Sequence, residues 1–349
     1  MPQTIHHIAF NSFQDLFAIS GDFGIKVFNS NPIVELVNLK TEQIGSIKIV
    51  TLLNRTNMIF MVAGDPYPKY SPKTVMVWDN EKQKFAAELT VGSPVLNVLV
   101  SLSRVIIVQQ CHIHVFSMDG FKLLTHEETG NNQLGLCALS QNPKNEYLTF
   151  PSFKPGTIQV VNLRNVNQQR SIAPATINAH ESEIVKLAMD NQATKIATGS
   201  VKGTLIRVFD TQTKKMIMEL RRGQHFAQLF CLRFSPDSAF LSCSSDQGTL
   251  HVFDVDPSKR DELQKAPMKL VDHLPFTIGQ QKSLKQFSMP FPEQIAECAF
   301  IARDEINTNL ELIAITKDAH FYYFNGHGTK PQGYALLFNL STDNEFWKL

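Results

Sequence analysis

Seven copies of one short pattern follow one another along the chain, and this repetition restricts the possible folds more than any other feature. Each copy has a β-rich segment, a small turn and a second β-rich segment, which in most copies ends in an aromatic residue. The closing residues of successive copies lie mostly about 40 to 50 residues apart, which is the length of one four-stranded propeller blade. We therefore predict an all-β, seven-bladed β-propeller of the WD-repeat type. The copies span residues 17–28, 59–79, 105–116, 147–161, 196–210, 240–254 and 312–324.

A closed ring follows from the way in which blades stack. One blade cannot bury both of its faces alone, so neighbouring blades pack radially, and closure of the ring removes most exposed edges. With 43% hydrophobic and 19% charged residues, the 349-residue chain has enough apolar side chains to fill such a core. A β-sandwich with incidental hairpins would not explain seven copies of the same order and spacing. We expect residues 1–349 to form a single propeller domain.

The interval between Phe253 and Phe324 exceeds the others by about half a blade, so we expect an insertion there. The extra residues, about 256–283, fall between the third and outermost strands of blade six, at the periphery of the disc. The first strands of a propeller line its central channel, so the insertion is expected to lie away from the channel. The predicted strands of blade six are 229–235, 240–244, 249–255 and 284–288.

Composition excludes several classes of function. A net charge of +1 gives no global basic field for binding nucleic acid. The five cysteines show no CxxC spacing, and no apolar run is long enough to span a bilayer, so we expect a cytoplasmic protein. No phosphate-loop, dinucleotide-binding, metalloprotease or nucleophile-elbow motif is present, and the pair His112 and His114 lacks a third metal ligand. We therefore expect no enzyme activity, no cofactor and no bound metal.

The most informative stretch is an arginine pair that follows the outer strand of blade five. Successive residues of a strand point to opposite faces, so Arg221 and Arg222 should face two neighbouring hollows. Each hollow would combine a guanidinium with hydroxyl groups and a glycine, and these groups are suited to binding phosphate. The alternative is that the pair only decorates an exposed edge strand. The blade-five hairpin offers Thr198, Ser200, Gly203, Thr204 and Arg207 to the first hollow, and blade six offers Ser245, Thr249 and His251 to the second.

The motif Leu220-Arg221-Arg222-Gly223, with segments 197–210, 234–237 and 244–253 around it, resembles the PROPPINs, the WD-repeat proteins that interact with phosphoinositides in autophagy. The resemblance covers nearly the whole chain. Gln247 departs from the family pattern, since a lysine is common there, and this could weaken the second site. The resemblance implies a first lipid site of His180, Thr198, Ser200, Gly203, Thr204, Arg207 and Arg221, and a second of Arg222, Gly223, Ser245, Thr249 and His251.

The same resemblance implies a function. PROPPINs bind phosphatidylinositol 3-phosphate and phosphatidylinositol 3,5-bisphosphate, act peripherally on the phagophore and on endosomal membranes, and recruit an elongated lipid-transfer scaffold during autophagosome formation. We expect this chain to act in the same way, as a monomeric propeller. The insertion fits a membrane-contact loop, because apolar groups could enter the interface while cations meet anionic headgroups. Its expected contact residues are Lys259, Arg260, Lys265, Lys269, Leu270, Leu274, Phe276 and Ile278.

Two other classes of function stay open at this point. A protein-interaction propeller without lipid binding would use the loops on the top face of the ring. An enzyme would need a polar cluster in the central channel, which we do not expect the first strands to offer. Flotation with liposomes that contain or lack phosphatidylinositol 3-phosphate separates the lipid-binding protein from the adaptor.

Overall fold

The computed structural model describes residues 3–167, 174–256, 280–291, 295–301 and 310–340. In these residues, seven β-sheets follow one another along the chain, and each is built on an antiparallel four-stranded meander. The first strands of neighbouring sheets contact one another around a closed ring, in which the seventh sheet returns to the first. The predicted seven-bladed β-propeller is therefore confirmed.

The first four blades begin at the amino end of the described chain. Two one-turn helices, α1 (Thr41–Ile44) and α2 (Arg164–Asn167), lie between strands. The strands are β1 (Ile5–Phe10), β2 (Leu16–Gly21), β3 (Gly24–Asn29), β4 (Val34–Lys40), β5 (Gly45–Leu52), β6 (Met58–Pro68), β7 (Thr74–Asp79), β8 (Lys84–Thr90), β9 (Asn97–Val100), β10 (Arg104–Val108), β11 (His112–Ser117), β12 (Leu123–Glu128), β13 (Ala138–Leu139), β14 (Tyr147–Pro151), β15 (Thr157–Asn162) and β16 (Ala175–Asn178).

The last three blades hold the residues of the candidate sites. A 3-10 turn at Leu337–Asn339 follows the final strand. The strands are β17 (Ile184–Met189), β18 (Lys195–Ser200), β19 (Leu205–Asp210), β20 (Met216–Arg221), β21 (Leu229–Phe234), β22 (Phe240–Ser245), β23 (Thr249–Asp254), β24 (Gln280–Lys282), β25 (Lys285–Ser288), β26 (Ala296–Phe300), β27 (Leu312–Thr316), β28 (His320–Phe324) and β29 (Gly333–Leu336).

Burial explains why the repeated pattern was readable in the sequence. The second strands β2, β18 and β22 are buried at every position, because each blade packs between two others. Strands of this kind appear as continuous apolar or small-residue runs. The outer strand β8 instead alternates between exposed and partly buried positions, as expected for a strand with one face in solvent.

Closure of the ring rests on aromatic packing and on one buried amide. Phe17 stacks on Phe28 at 5.0 Å between ring centroids, in an apolar cluster that blades one and seven share. Gln14 is buried, donates its Nε2 to the carbonyl of Phe234 at 2.7 Å and accepts the N–H of Phe300 at 2.8 Å. Blade one is thereby tied to blades six and seven.

Blade six has the predicted four strands, with β25 as the outermost, paired to β23. The end of the predicted insertion is not part of the blade-six sheet, because β24 pairs in parallel with β20 of blade five. The sheet of blade five thus has five strands. Residues 257–279 of the insertion lie outside the described residues, including all of the expected membrane-contact residues Lys259, Arg260, Lys265, Lys269, Leu270, Leu274, Phe276 and Ile278.

The central channel differs from our expectation. First strands place His7, Lys186, Arg233 and Glu297 along the channel, so the expected absence of polar groups there was wrong. Arg233 and Glu297 compensate each other, with Nη2 and Oε2 3.0 Å apart, and Arg233 Nε donates to the carbonyl of Cys298. Burial is the main cause of a lowered pKa at His7. The guanidinium is thus held by internal partners.

The helices in the described part of the chain are too short to cross a membrane, and none combines the required length and apolar character.

Candidate functional site

The arginine pair lies where β20 ends, and the hairpin between β18 and β19 holds its backbone. The carbonyl of Thr204, in the turn of that hairpin, accepts the N–H groups of Arg222 at 2.9 Å and of Gly223 at 3.3 Å. The turn itself needs Gly203, whose φ is +62° and where a Cβ would lie 1.9 Å from the carbonyl oxygen of Ala227. A glycine at 203 therefore lets the hairpin approach the next loop and fix the arginines.

Residues of the predicted first site come together on one face of the blade-five sheet. Arg207 on β19 lies directly opposite Glu219 on β20, and its Nε donates to Oε2 of Glu219 at 2.8 Å. Nη1 of Arg207 donates to the carbonyl of Ala179 at 2.7 Å. Arg221 is two residues beyond Glu219 on the same strand and therefore on the same face. Two cations thus flank one carboxylate.

His180 and Thr198 form the inner wall of this first site. Nε2 of His180 lies 3.0 Å from Oγ1 of Thr198, which also donates to the carbonyl of Arg207 at 3.3 Å. Burial, together with the positive charge of Arg207, lowers the pKa of His180 to about 4. The imidazole is therefore neutral at pH 7, and the arginines supply the positive charge of the first site.

The carboxylate of Glu219 remains ionised in this environment. Burial alone would raise its pKa, but the hydrogen bonds from Gln280 and Arg207, with the charges of Arg207 and Arg221, lower the pKa overall. Glu219 therefore compensates part of the positive charge when no ligand is bound.

The predicted second site lies between blades five and six and contains Arg222. The Arg222 side chain donates from Nε to the carbonyl of Gly203 at 2.7 Å and from Nη2 to the carbonyl of His225 at 2.5 Å. Arg222 is only 6% exposed, so this residue does not merely decorate an exposed edge strand. Blade packing buries it, and burial lowers its pKa. The two arginines nevertheless diverge into separate surroundings.

His251 on β23 is the histidine of the predicted second site. It is buried, and burial with the neighbouring charge of Arg222 lowers its pKa to about 4. Its Nδ1 lies 3.4 Å from Oγ of Ser283, in the segment that follows β24. Each site therefore pairs an arginine with a neutral histidine.

The other predicted residues occupy the hairpin turns of the two blades. Ser200 and Ser245 are buried at the ends of their second strands, and Thr204 and Thr249 are partly buried. Oγ of Ser245 accepts the N–H of Gln247 at 3.4 Å. These positions put hydroxyl groups of both hairpins at the same edge of the ring as the arginines.

Three polar residues at these sites were missed by the sequence reasoning. Glu219 carried a signal, because it precedes Arg221 by two residues and so had to share its face. Gln280 and Ser283 carried none, since they reach the sites only through the pairing of β24 with β20.

Comparison with known proteins identifies the family. A model of the family described as PROPPIN matches residues 5–266, three quarters of the chain. The chain belongs to the PROPPIN family. "Ectopic P granules protein 6" of Caenorhabditis elegans is 30% identical over 361 aligned residues, covering 99% of this chain and 90% of that protein. "Autophagy-related protein 18e" of Arabidopsis thaliana is 29% identical and covers 81% of this chain and 75% of its own length.

Solved PROPPIN structures have the same fold. Hsv2 of Kluyveromyces lactis superimposes with a TM-score of 0.77 at 20% identity, covering 96% of this chain and 99% of that one. As a PROPPIN, this protein belongs to a family of phosphoinositide-binding propellers with relatives in autophagy.

Proposed function

We propose that this protein is a peripheral membrane propeller that binds phosphatidylinositol 3-phosphate and phosphatidylinositol 3,5-bisphosphate through two sites at the edge of blades five and six. The first site comprises His180, Thr198, Ser200, Gly203, Thr204, Arg207 and Arg221. The second comprises Arg222, Gly223, Ser245, Thr249 and His251.

One observation carries the proposal: the consecutive arginines have different partners, Arg221 in the network of Arg207, Glu219 and Gln280, and Arg222 at the carbonyls of Gly203 and His225. Phosphate groups are recognised by guanidinium N–H groups because the hydrogen bonds are charge-assisted and can be paired. In contacts between described residues, each of Arg207, Arg221 and Arg222 uses two of its three nitrogens, so the third can meet a phosphate oxygen.

The biological role that we propose is recruitment of a scaffold to membranes that carry these lipids. The protein would act in autophagosome formation, at the phagophore and at endosomal membranes, and would bring an elongated lipid-transfer protein to the lipid surface. It would do so by binding, without catalysis, a cofactor or nucleic acid. The family membership and the autophagy-related relative support this role.

The insertion of blade six would add affinity for the bilayer itself. Its lysines would meet anionic headgroups while Leu270, Leu274, Phe276 and Ile278 enter the interface. A Phe276→Asp change should then weaken vesicle binding by about tenfold or more, since burial of such a ring is worth about 1.5 to 3 kcal/mol. Binding of a soluble headgroup should not change, because Phe276 is expected to contact the bilayer and not the headgroup.

Liposome flotation tests the proposed function. Wild-type protein should float with vesicles that contain either lipid and stay behind with vesicles that lack phosphoinositide. Arg221→Ala should lose most of this binding while it keeps the fold, because Arg221 is only partly buried at the rim. Wild-type protein that fails to float with any phosphoinositide would contradict the proposal.

A second candidate function is that of a protein-interaction adaptor, and exposed apolar loops favour it. Leu134, Phe153, Val201 and Phe226 are 63%, 64%, 53% and 72% exposed. They lie in connections from fourth to first strands or from second to third strands, which share one face because the strands of a blade alternate in direction. An adaptor that does not bind lipid would use this face and would not respond to the lipid content of the vesicles.

A further inference from the structure

Strand β24 brings a glutamine into the first site from a distant part of the chain. In the parallel pairing of β24 with β20, Gln280 lies opposite Glu219 and Lys282 lies opposite Arg221. Paired residues of neighbouring strands share a face of the sheet. Gln280 therefore sits on the face that carries Arg207, Glu219 and Arg221.

The amide of Gln280 contacts both charged neighbours at once. Its Oε1 accepts Nε–H of Arg221 at 2.5 Å, and its Nε2 donates to Oε1 of Glu219 at 2.7 Å. The other oxygen of Glu219 accepts from Arg207. The four side chains form one continuous network in which the amide stands between Arg221 and the carboxylate.

Arg221 and Glu219 would otherwise be natural partners. They are separated by two residues on one strand, roughly 6.7 Å along the backbone, a distance that their long side chains can bridge. Among the described residues, however, the ion pair of Glu219 is with Arg207. A direct pair with Arg221 would consume the guanidinium N–H groups that a phosphate needs.

We propose that Gln280 is a positioning residue of the first phosphate site, which holds Arg221 by its Nε and occupies Glu219, so that Nη2 of Arg221 stays free for the headgroup. The inference rests on the proposed function, and it adds a residue from outside the repeat that carries the arginine pair. The neutral amide is essential to this role, because a carboxylate in its place would pair with Arg221.

Calorimetry with soluble inositol 1,3-bisphosphate tests the inference. The titrations use a Thr249→Asp background, in which an added carboxylate blocks the second hollow and leaves the first site to be measured. Gln280→Ala should weaken binding about fivefold or more, as expected when a charge-assisted hydrogen bond to the ligand is lost. Gln280→Glu should weaken it further.

A second change separates positioning from a purely structural role. In a Glu219→Gln background no carboxylate competes for Arg221, so Gln280→Ala should there cost less than about twofold. Gln281→Ala is the matched control: Gln281 also lies on β24, but it donates to the carbonyl of Asp254 and faces away from the network. It should leave headgroup affinity unchanged.

Each contrary result has a distinct meaning. Equal losses from Gln280→Ala in both backgrounds, or an equal loss from Gln281→Ala, would show that β24 acts only as structural support and would overturn the inference. A gain of affinity in Gln280→Ala would show that Gln280 competes with the headgroup, which also overturns it. Wild-type protein that binds no headgroup would contradict the proposed function itself and this inference with it.

Discussion

Arg222 combines a structural role with the role in phosphate binding that we propose. Its side chain is buried and bonds two backbone carbonyls, which makes it part of the framework that joins blade five to blade six. A buried cation is costly unless its N–H groups are satisfied, and the carbonyls of Gly203 and His225 meet that requirement. Arg221 contributes less to the stability of the fold, because it is more exposed and its main partner is a side chain. Arg221 and Arg222 therefore differ in how much stability the fold loses when the side chain is removed.

Arg222→Ala should lower the free energy of unfolding by about 2 kcal/mol or more, because two charge-assisted hydrogen bonds, to the carbonyls of Gly203 and His225, are lost. Arg221→Ala, at a more exposed position, should change it by less than about 1 kcal/mol. Urea unfolding of both variants checks this difference. Equal stabilities would show that the carbonyls of Gly203 and His225 find water or other donors.

The buried histidine of the second site predicts a pH dependence of stability. The folded pKa of His251 is about 4, below the ordinary value of 6.5, so between these values the unfolded chain binds more protons. The contribution to stability is full above pH 6.5 and falls as the pH drops towards 4. From pH 7.5 to 5.0, this one residue should cost about 2 kcal/mol.

His251→Gln should reduce that loss, as measured by urea unfolding at the two pH values. His112→Gln, at an exposed position, serves as the matched control and should keep the wild-type slope. The account of His251 fails if both variants show the same pH dependence as the wild type.

At the scale of elements, the sequence was most informative where the fold repeats. The central strands of the blades could be predicted because blade stacking buries them on both sides, and hairpins such as β18–β19 have short local turns. Neither reason applies to β24, which pairs with a strand about 60 residues earlier in the chain. A parallel pairing of this kind leaves no local pattern, so Gln280 could not be placed. The burial of Arg222 was also unpredictable, since it depends on how closely two blades approach.

The β18–β19 hairpin supports both sites, and its glycine gives a test at this scale. Gly203→Ala should destabilise the fold by about 2 kcal/mol or more, because a left-handed φ combines with a Cβ 1.9 Å from the carbonyl oxygen of Ala227. Headgroup affinity should fall at both sites. Gly203 and Thr204 belong to the first site, and their carbonyls hold Arg222 of the second site. Gly223→Ala is the matched control, because a Cβ there meets no heavy atom within 4 Å. The role of the hairpin would be contradicted if Gly203→Ala were as stable as Gly223→Ala.

At the scale of the whole molecule, the ring provides a rigid edge on which the two proposed sites lie side by side. Blade stacking fixes the spacing between them, and Gln14 closes the ring that keeps blades six and seven in place. On a membrane, the second lipid is captured at a high local concentration, so the avidity can exceed the single-site affinity by roughly 10² to 10⁴. Two weak sites would therefore suffice for recruitment to membranes.

The number of headgroups bound tests the central claim most directly. Calorimetric titration of the wild-type protein with soluble inositol 1,3-bisphosphate should give two binding events per chain, and Arg221→Ala should remove one of them while the other stays measurable. A single headgroup in the wild type, or the loss of all binding in Arg221→Ala, would contradict the account, because the two arginines would then share one pocket.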